Sequence, residues 1–270
     1  MNKIHPILIN STLSSNRFMI VFIGDIHGRD IWKDIVLQNP AAHTFVFLGD
    51  YFDSKEAISG PNQMQNFLEI LEFKRSIPSP KNVILLFGNH DYHYMPWHTR
   101  EPYSGYQKSY AAKIQKLLVE NFHELQMAYA ADDLLCSHAG VSHIWMSRNI
   151  GPEGSIGGWN SDNPEIISLK INELFRKDPK KFDMQGFESS GNEPQQTPIW
   201  IRPPALVESN KNTLENHVIQ VFGHTQVKDL DATLSKIQQE WNNKYYPVDS
   251  LALGIYWVWM DQKMEWRRVD

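Results

Sequence analysis

Residues 18–28 read Phe-Met-Ile-Val-Phe-Ile-Gly-Asp-Ile-His-Gly. The apolar run from Phe18 to Ile23 is short, rich in β-branched and aromatic residues, and apolar on both faces, as an interior strand of a sheet is. It stops at Gly24, and Asp25 and His27 follow two positions apart. From one strand end, both side chains can turn toward a single cation. The same grammar recurs four times. Thr44–Leu48 runs into Gly49-Asp50-Tyr51-Phe52-Asp53, and Val83–Phe87 into Gly88-Asn89-His90-Asp91. Leu134–Cys136 runs into Ser137-His138-Ala139-Gly140, and Val218–Phe222 into Gly223-His224-Thr225. One Asp or His after a strand is ordinarily a turn former, but five such strand ends in order are a pattern. Ligands of open α/β sheets bind beyond the carboxyl ends of the strands, so these residues should converge. Carboxylate, imidazole and amide oxygen together suit a pair of divalent cations.

Helical patterns separate several of the runs. Met64, Phe67, Leu68 and Leu71 lie at i, i+3, i+4 and i+7 behind Pro61, which suits a first helical turn. Shorter helices are expected around Ile31, Trp32, Ile35 and Val36 and around Ile114, Leu117 and Leu118. Alternation of strand and helix predicts an α/β layered domain. From about residue 150 to 206 the texture changes to scattered Gly and Pro around one amphipathic helix spaced by Ile167, Ile171, Leu174 and Phe175. This reads as an elaborated insertion within one domain spanning residues 1–270. Near the end, Gly254–Met260 and Lys263–Val269 flank Asp261-Gln262 as a hairpin. Its Trp257, Trp259 and Trp266 are expected to pack on the sheet.

Composition removes several function classes. Lys and Arg number 26 against 31 Asp and Glu, a formal net charge of −5, which disfavours electrostatically driven nucleic-acid binding. A single cysteine, Cys136, rules out an intramolecular disulfide framework and a thiolate-rich zinc site, and its apolar setting predicts an inert core thiol. No apolar run approaches the ~18 residues that would suggest a membrane span. The first sixteen residues lack the apolar stretch of a secretory signal. Cytoplasmic residence without membrane association is therefore the expectation.

Taken in order, Gly-Asp-x-His-Gly, Gly-Asp-x-x-Asp, Gly-Asn-His-Asp, Ser-His-Ala-Gly and Gly-His-Thr resemble the motifs of the calcineurin-like metallophosphoesterase superfamily. The resemblance extends from Gly24 to Thr225. It implies an α/β fold of four layers, with two mixed β-sheets forming a sandwich flanked by helices and two metal ions at the strand ends. By motif, Asp25 and His27 would bind the first metal, and Asn89, His138 and His224 the second, with Asp50 bridging them. A bridging carboxylate can hold two cations ~3.5–4 Å apart, where a shared water becomes hydroxide at neutral pH. The mixed nitrogen and oxygen set points to Mn first, with Fe, Zn or Ni as alternatives.

Within the same resemblance, His90 matches the catalytic histidine and Asp53 the acid paired with it in the phosphoprotein phosphatase branch. An Asp holding an imidazolium keeps a proton ready for the leaving alkoxide. Two departures matter. The second motif lacks the Arg-Gly that follows it in that branch, since Ser54-Lys55 stand there instead. Trp200-Ile201-Arg202-Pro203 is similar to a segment of bacterial and phage phosphatases and of symmetrical dinucleoside tetraphosphate hydrolases, which makes Arg202 the candidate phosphate contact. Gln226 replaces the second His of Gly-His-x-His found in nucleases and cyclic-nucleotide phosphodiesterases. Asp249 in Tyr-Pro-Val-Asp-Ser would orient a ligand from outside the first shell. His93 and His98, close after His90 in a Tyr- and Trp-rich loop, could line the pocket, although ordinary packing or solvent exposure is the favoured reading.

The expected function is hydrolysis of a phosphomonoester by attack of a metal-bridging hydroxide. A phosphoprotein phosphatase-like enzyme comes first and a dinucleoside polyphosphate hydrolase second. A nuclease or phosphodiesterase is third, and a non-catalytic metal-binding scaffold last. The expected partner is a phosphorylated substrate, protein or nucleotide.

Overall fold

The computed structural model describes residues 18–151, 162–211, 213–214 and 217–270. The reading of the first sixteen residues, and the glycines at 154, 157 and 158, lie outside them. Two mixed sheets are present among the described residues. Strands β1 (Met19–Ile23), β2 (Thr44–Phe47), β3 (Asn82–Leu86) and β4 (Leu125–Gln126) run parallel in the larger one. The antiparallel strands β9 (Ile255–Met260) and β10 (Lys263–Arg268) extend it to the order β10-β9-β1-β2-β3-β4. The smaller sheet has the order β5-β6-β7-β8, with β5 (Ala128–Ala131) antiparallel to β6 (Leu134–Ser137). Strands β6, β7 (Ile219–Phe222) and β8 (Tyr245–Pro247) are parallel.

The apolar character of both strand faces has a direct cause. Ile20 and Phe22 on β1 point into a buried cluster with Val46, Leu86, Cys136, Val221, Trp257 and Trp259, which fills the space between the sheets. Met19, Val21 and Ile23 point the other way, into a cluster with helices α1 (Trp32–Gln38), α2 (Gly60–Ser76) and α4 (Ala111–Glu120). Outside the smaller sheet, Phe222 and Tyr245 pack with Ala205 and Leu206 of α7 (Pro203–Asn210). The inner strands β1, β2 and β3 are covered on both faces, so alternation is absent from their sequences. Helix, sheet, sheet and helix are the four layers expected.

Several details correct the sequence reading. On α2, Leu68 is exposed, and the buried face carries Gln63 and Asn66 beside Phe67, Ile70 and Leu71. These polar side chains are bonded: Trp32 Nε1 donates to Asn66 Oδ1 at 2.8 Å, and Asn66 Nδ2 donates to the Arg29 carbonyl at 3.0 Å. Trp266 sits on the edge strand and is 40% exposed, unlike Trp257 and Trp259. Strands β4, β5 and β8 carried no legible signal, being two to four residues long. Helix α6 (Pro164–Lys177) packs against β5, where Asn172 accepts the backbone N–H of Met127 and Ala128 and donates to the Ala128 carbonyl. No helix among the described residues is long and apolar enough to cross a membrane.

Candidate functional site

Parallel neighbours bring the carboxyl ends of β1, β2 and β3 side by side, and β6 and β7 do the same from the facing sheet. The residues following these five strands meet at the top of the sandwich. They bound one side of a cavity of about 510 Å³ lined by Asp25, His27, Asp50, Asn89, His90 and His224.

Two carboxylates form its floor. Asp25 and Asp50 are buried, at 2% and 1% exposure. Both Asp25 oxygens accept the His224 backbone N–H at 3.0 Å, and Asp50 Oδ1 accepts the His90 backbone N–H at 2.8 Å. Close approach requires glycine at two neighbours: a Cβ on Gly88 would stand 2.1 Å from Asp50 Oδ1, and one on Gly223 would stand 2.1 Å from Asp25 Oδ1. Burial, Asp249 and Asp50 push Asp25 well above the usual carboxylate range. Burial acts on Asp50 in the same sense, but the surrounding imidazoles of His138, His90 and His27 outweigh it and hold Asp50 low.

The imidazoles are oriented from behind. His27 Nδ1 is 2.6 Å from the Phe52 carbonyl and His138 Nδ1 is 2.6 Å from the Leu48 carbonyl, so in the neutral ring Nδ1 carries the proton and Nε2 keeps its lone pair. Those Nε2 atoms face Asp50 Oδ2 at 3.8 Å and 3.4 Å. Asn89 Oδ1 lies 2.9 Å from His138 Nε2 and 2.8 Å from His224 Nδ1. Burial lowers His27 to about 4 and holds His224 well below the usual imidazole range, which keeps both rings neutral. Two groups of donor atoms, Asp25, His27 and Asp50 on one side and Asp50, His138 and His224 on the other, are each close enough to hold one ion. They share Asp50. All six sequence-predicted metal candidates are thus brought together, with Asn89 between the two histidines of the second group.

Beside them, His90 Nδ1 is 2.9 Å from Asp53 Oδ2, the pairing that the motifs suggested. Burial depresses His90, yet the Asp50 and Asp53 carboxylates outweigh it and the net shift is upward. Asp53 is held at about 2, because hydrogen bonds from His90 and His93 exceed the effect of burial. His93 corrects the sequence reading: it is buried, and its Nε2 lies 2.7 Å from the same Asp53 oxygen. The available signal was its place three residues after His90, at the end of a short helix, α3 (Asn89–Tyr92), that His93 caps. His98 is directed toward Asp183 at 3.7 Å instead. Asp91, the last residue of the third motif, accepts the backbone N–H groups of Gly88, Asp50 and Tyr51, each at 2.9 Å, and so ties two motif loops together.

Arg202 lines the cavity, and its Nη1 donates to the His224 carbonyl at 2.8 Å and to Thr225 Oγ1 at 3.2 Å. Gln226 lines it too. Asp249 stands on the wall, raised to about 6 chiefly by burial. The ligand-type imidazoles His27 and His138 are oriented by backbone carbonyls and not by this carboxylate.

Residues 18–228 match the model of the calcineurin-like phosphoesterase family. The chain belongs to that family. Its members use a dinuclear divalent metal site, and the shared donor groups around Asp50 are where this member can hold one. It is a metal-dependent phosphoester hydrolase. Among solved structures, a cold-active protein tyrosine phosphatase matches with a TM-score of 0.56 and 17% identity, over 92% of this chain and 78% of that one. A point mutant of a cold-active protein tyrosine phosphatase matches with a TM-score of 0.56 and 16% identity, over 94% of this chain and 80% of that one. At such identities the likeness concerns the fold, which is that of the metallophosphoesterases.

Proposed function

We propose that this calcineurin-like phosphoesterase is a phosphomonoesterase of the phosphoprotein phosphatase type. Asp25 and His27 would hold one divalent cation, Asn89, His138 and His224 a second, and Asp50 would bridge them. The donor set fits: two buried carboxylates sit among imidazoles, and backbone carbonyls fix the Nδ1 atoms of His27 and His138. A buried pair of carboxylates calls for positive charge between them. Nitrogen and oxygen donors without thiolate favour manganese, then iron, zinc or nickel. Cations there supply Lewis acidity toward phosphoryl oxygens and lower the pKa of water.

The observation that carries the monoester reading is the Asp53–His90 pair. A serine or threonine alkoxide is a poor leaving group and needs a proton as the ester bond breaks, whereas a nucleotide phosphate departs without one. With Nδ1 against Asp53, His90 keeps Nε2 for the cavity it lines and can deliver that proton. Arg202, anchored through Nη1, keeps further N–H groups for the phosphoryl oxygens, matching their spread charge with a planar fork.

A second reading, a dinucleoside polyphosphate hydrolase, draws support from Arg29, Lys55 and Arg100 on the same cavity wall, where additional phosphates could be met. Turnover of a phosphoserine peptide and of diadenosine tetraphosphate at equal manganese loading separates the two. We expect release of phosphate from the peptide at the higher kcat/KM. Cleavage of the dinucleotide alone would overturn the monoester reading.

A further inference from the structure

We propose that His93 is a positioning residue that holds Asp53, and through it the proton-donating ring of His90, against the wall of the cavity. The inference rests on the role given to His90 above. Asp53 Oδ2 has two imidazole neighbours, His90 Nδ1 at 2.9 Å and His93 Nε2 at 2.7 Å. The tautomer of His93 follows from its other side, because Nδ1 accepts the Tyr103 backbone N–H at 3.0 Å. A neutral ring that accepts at Nδ1 carries its proton on Nε2, a buried atom whose near neighbour is Asp53 Oδ2 at 2.7 Å, a close polar contact set off the line of a regular hydrogen bond. Asp53 Oδ1 is also occupied, by Tyr94 Oη at 2.5 Å and by Gln107 Nε2 at 3.4 Å.

The setting holds the His93 ring in place. Its side chain is fully buried, stacked on Tyr103 at 5.2 Å and met edge-on by Tyr94 at 4.5 Å and Tyr106 at 5.1 Å. Tyr103 lines the cavity and lies 4.4 Å from the ring of Trp200. His93 therefore links the carboxylate that orients His90 to the loop that forms part of the cavity wall. Removing His93 would take one of the two imidazole contacts from Oδ2, with His90 left there and Tyr94 and Gln107 on Oδ1, and so loosen the carboxylate on the side that faces His90. The His90 ring would then lose its fixed direction, and the step that suffers is proton delivery.

Proton delivery matters in proportion to the basicity of the leaving group, and this distinguishes positioning from general structural support. The manganese-loaded enzyme should be assayed on phenyl phosphate and on 2,4-dinitrophenyl phosphate. Two variants take the N–H away from Asp53: His93→Asn, whose shorter amide keeps an acceptor near Tyr103, and His93→Phe, which keeps the aromatic packing. Either one suffices. We expect kcat on phenyl phosphate to fall about 10- to 100-fold, kcat on the dinitrophenyl ester to stay within about twofold of wild type, and His93→Gln, whose amide reaches toward Asp53, to recover most of the loss. Equal loss on both esters, or no loss on either, overturns the inference. His90→Ala, run alongside, tests the reading beneath it. If that variant shows no leaving-group dependence, the role of His90 falls and this inference with it. Dependence in His90→Ala without dependence in either His93 variant overturns only the inference.

Discussion

His27, Asp50, Asp53 and His224 all adopt positive φ, at 44°, 52°, 63° and 58°. For a residue with a Cβ this region costs about 1–3 kcal/mol, and these four belong to the candidate metal-binding and proton-transfer groups. Each stands shortly beyond the end of its strand, where the chain must turn sharply to aim a side chain back across the sheet ends. Such turns are sustained only if the surroundings over-determine them, and the hydrogen bonds that Asp91 accepts from three backbone N–H groups do so for the second and third motifs. Gly88 is equally constrained. We expect Gly88→Ala to displace Asp50 and to weaken manganese binding about 10- to 100-fold, read by calorimetric titration. His90→Ala should lower kcat on a phosphoserine peptide by about 100- to 10,000-fold with little change in KM, because the lost proton transfer belongs to the transition state. Cys136 is fully buried between the sheets and burial pushes its thiol upward. It should resist a thiol reagent in the native protein and react once the chain is unfolded in denaturant.

At the scale of elements, the strands explain themselves from composition but the helices depend on partners. On α2, part of the buried face is polar, and its place in the core rests on specific bonds such as Trp32 to Asn66. Asn66→Ala should cost about 1–3 kcal/mol, the usual penalty for stranding a buried donor, measurable as a lower urea midpoint with an unchanged slope. The loop carrying His138 is secured similarly. Val141 N–H donates to Gln220 Oε1 at 2.7 Å, and Gln220 and Asn210 both donate to the Val141 carbonyl at 3.0 Å. The final hairpin is simpler. Asp261 and Gln262 have φ of 53° and 60°, the left-handed pair that suits the twist of a two-residue loop. Glycine tolerates that conformation better than glutamine, so Gln262→Gly should raise stability by about 0.5–1 kcal/mol, visible as a higher thermal midpoint.

Across the whole molecule, two sheets contribute to one site because their parallel strands point the same way and share the apolar layer between them. The arrangement concentrates Asp25, Asp50 and Asp249 around one cavity. Burial raises Asp25 and Asp249, and the neighbouring carboxylates add to the rise. Divalent cations bound there should stabilise the fold. At free ion 100-fold above Kd the gain is about 2.7 kcal/mol, so the thermal midpoint should rise with added manganese and return with chelator. Asp50→Asn should abolish most of that rise.

The share of this legible in the sequence was large for the strand ends and small for what connects them. Runs such as residues 18–23 and 44–48 announce buried strands because a strand covered on both faces must be apolar throughout, and a glycine followed by Asp, Asn or His marks where most of them stop. That order, together with the residue types, determined the family, the layered fold and the six candidate ligands. Strands β4, β5 and β8 were too short to carry a pattern, and the polar part of α2 disguised its buried face. The side-chain pairings around His90 join residues 37 to 41 positions apart, as His90, Tyr94 and Asp91 do with Asp53, Asp50 and Tyr51. Local periodicity contains no information about which distant loops share a sheet edge. That His93 turns inward to Asp53, and is neither surface residue nor plain packing, was decided only when the strand order placed the second and third motifs side by side.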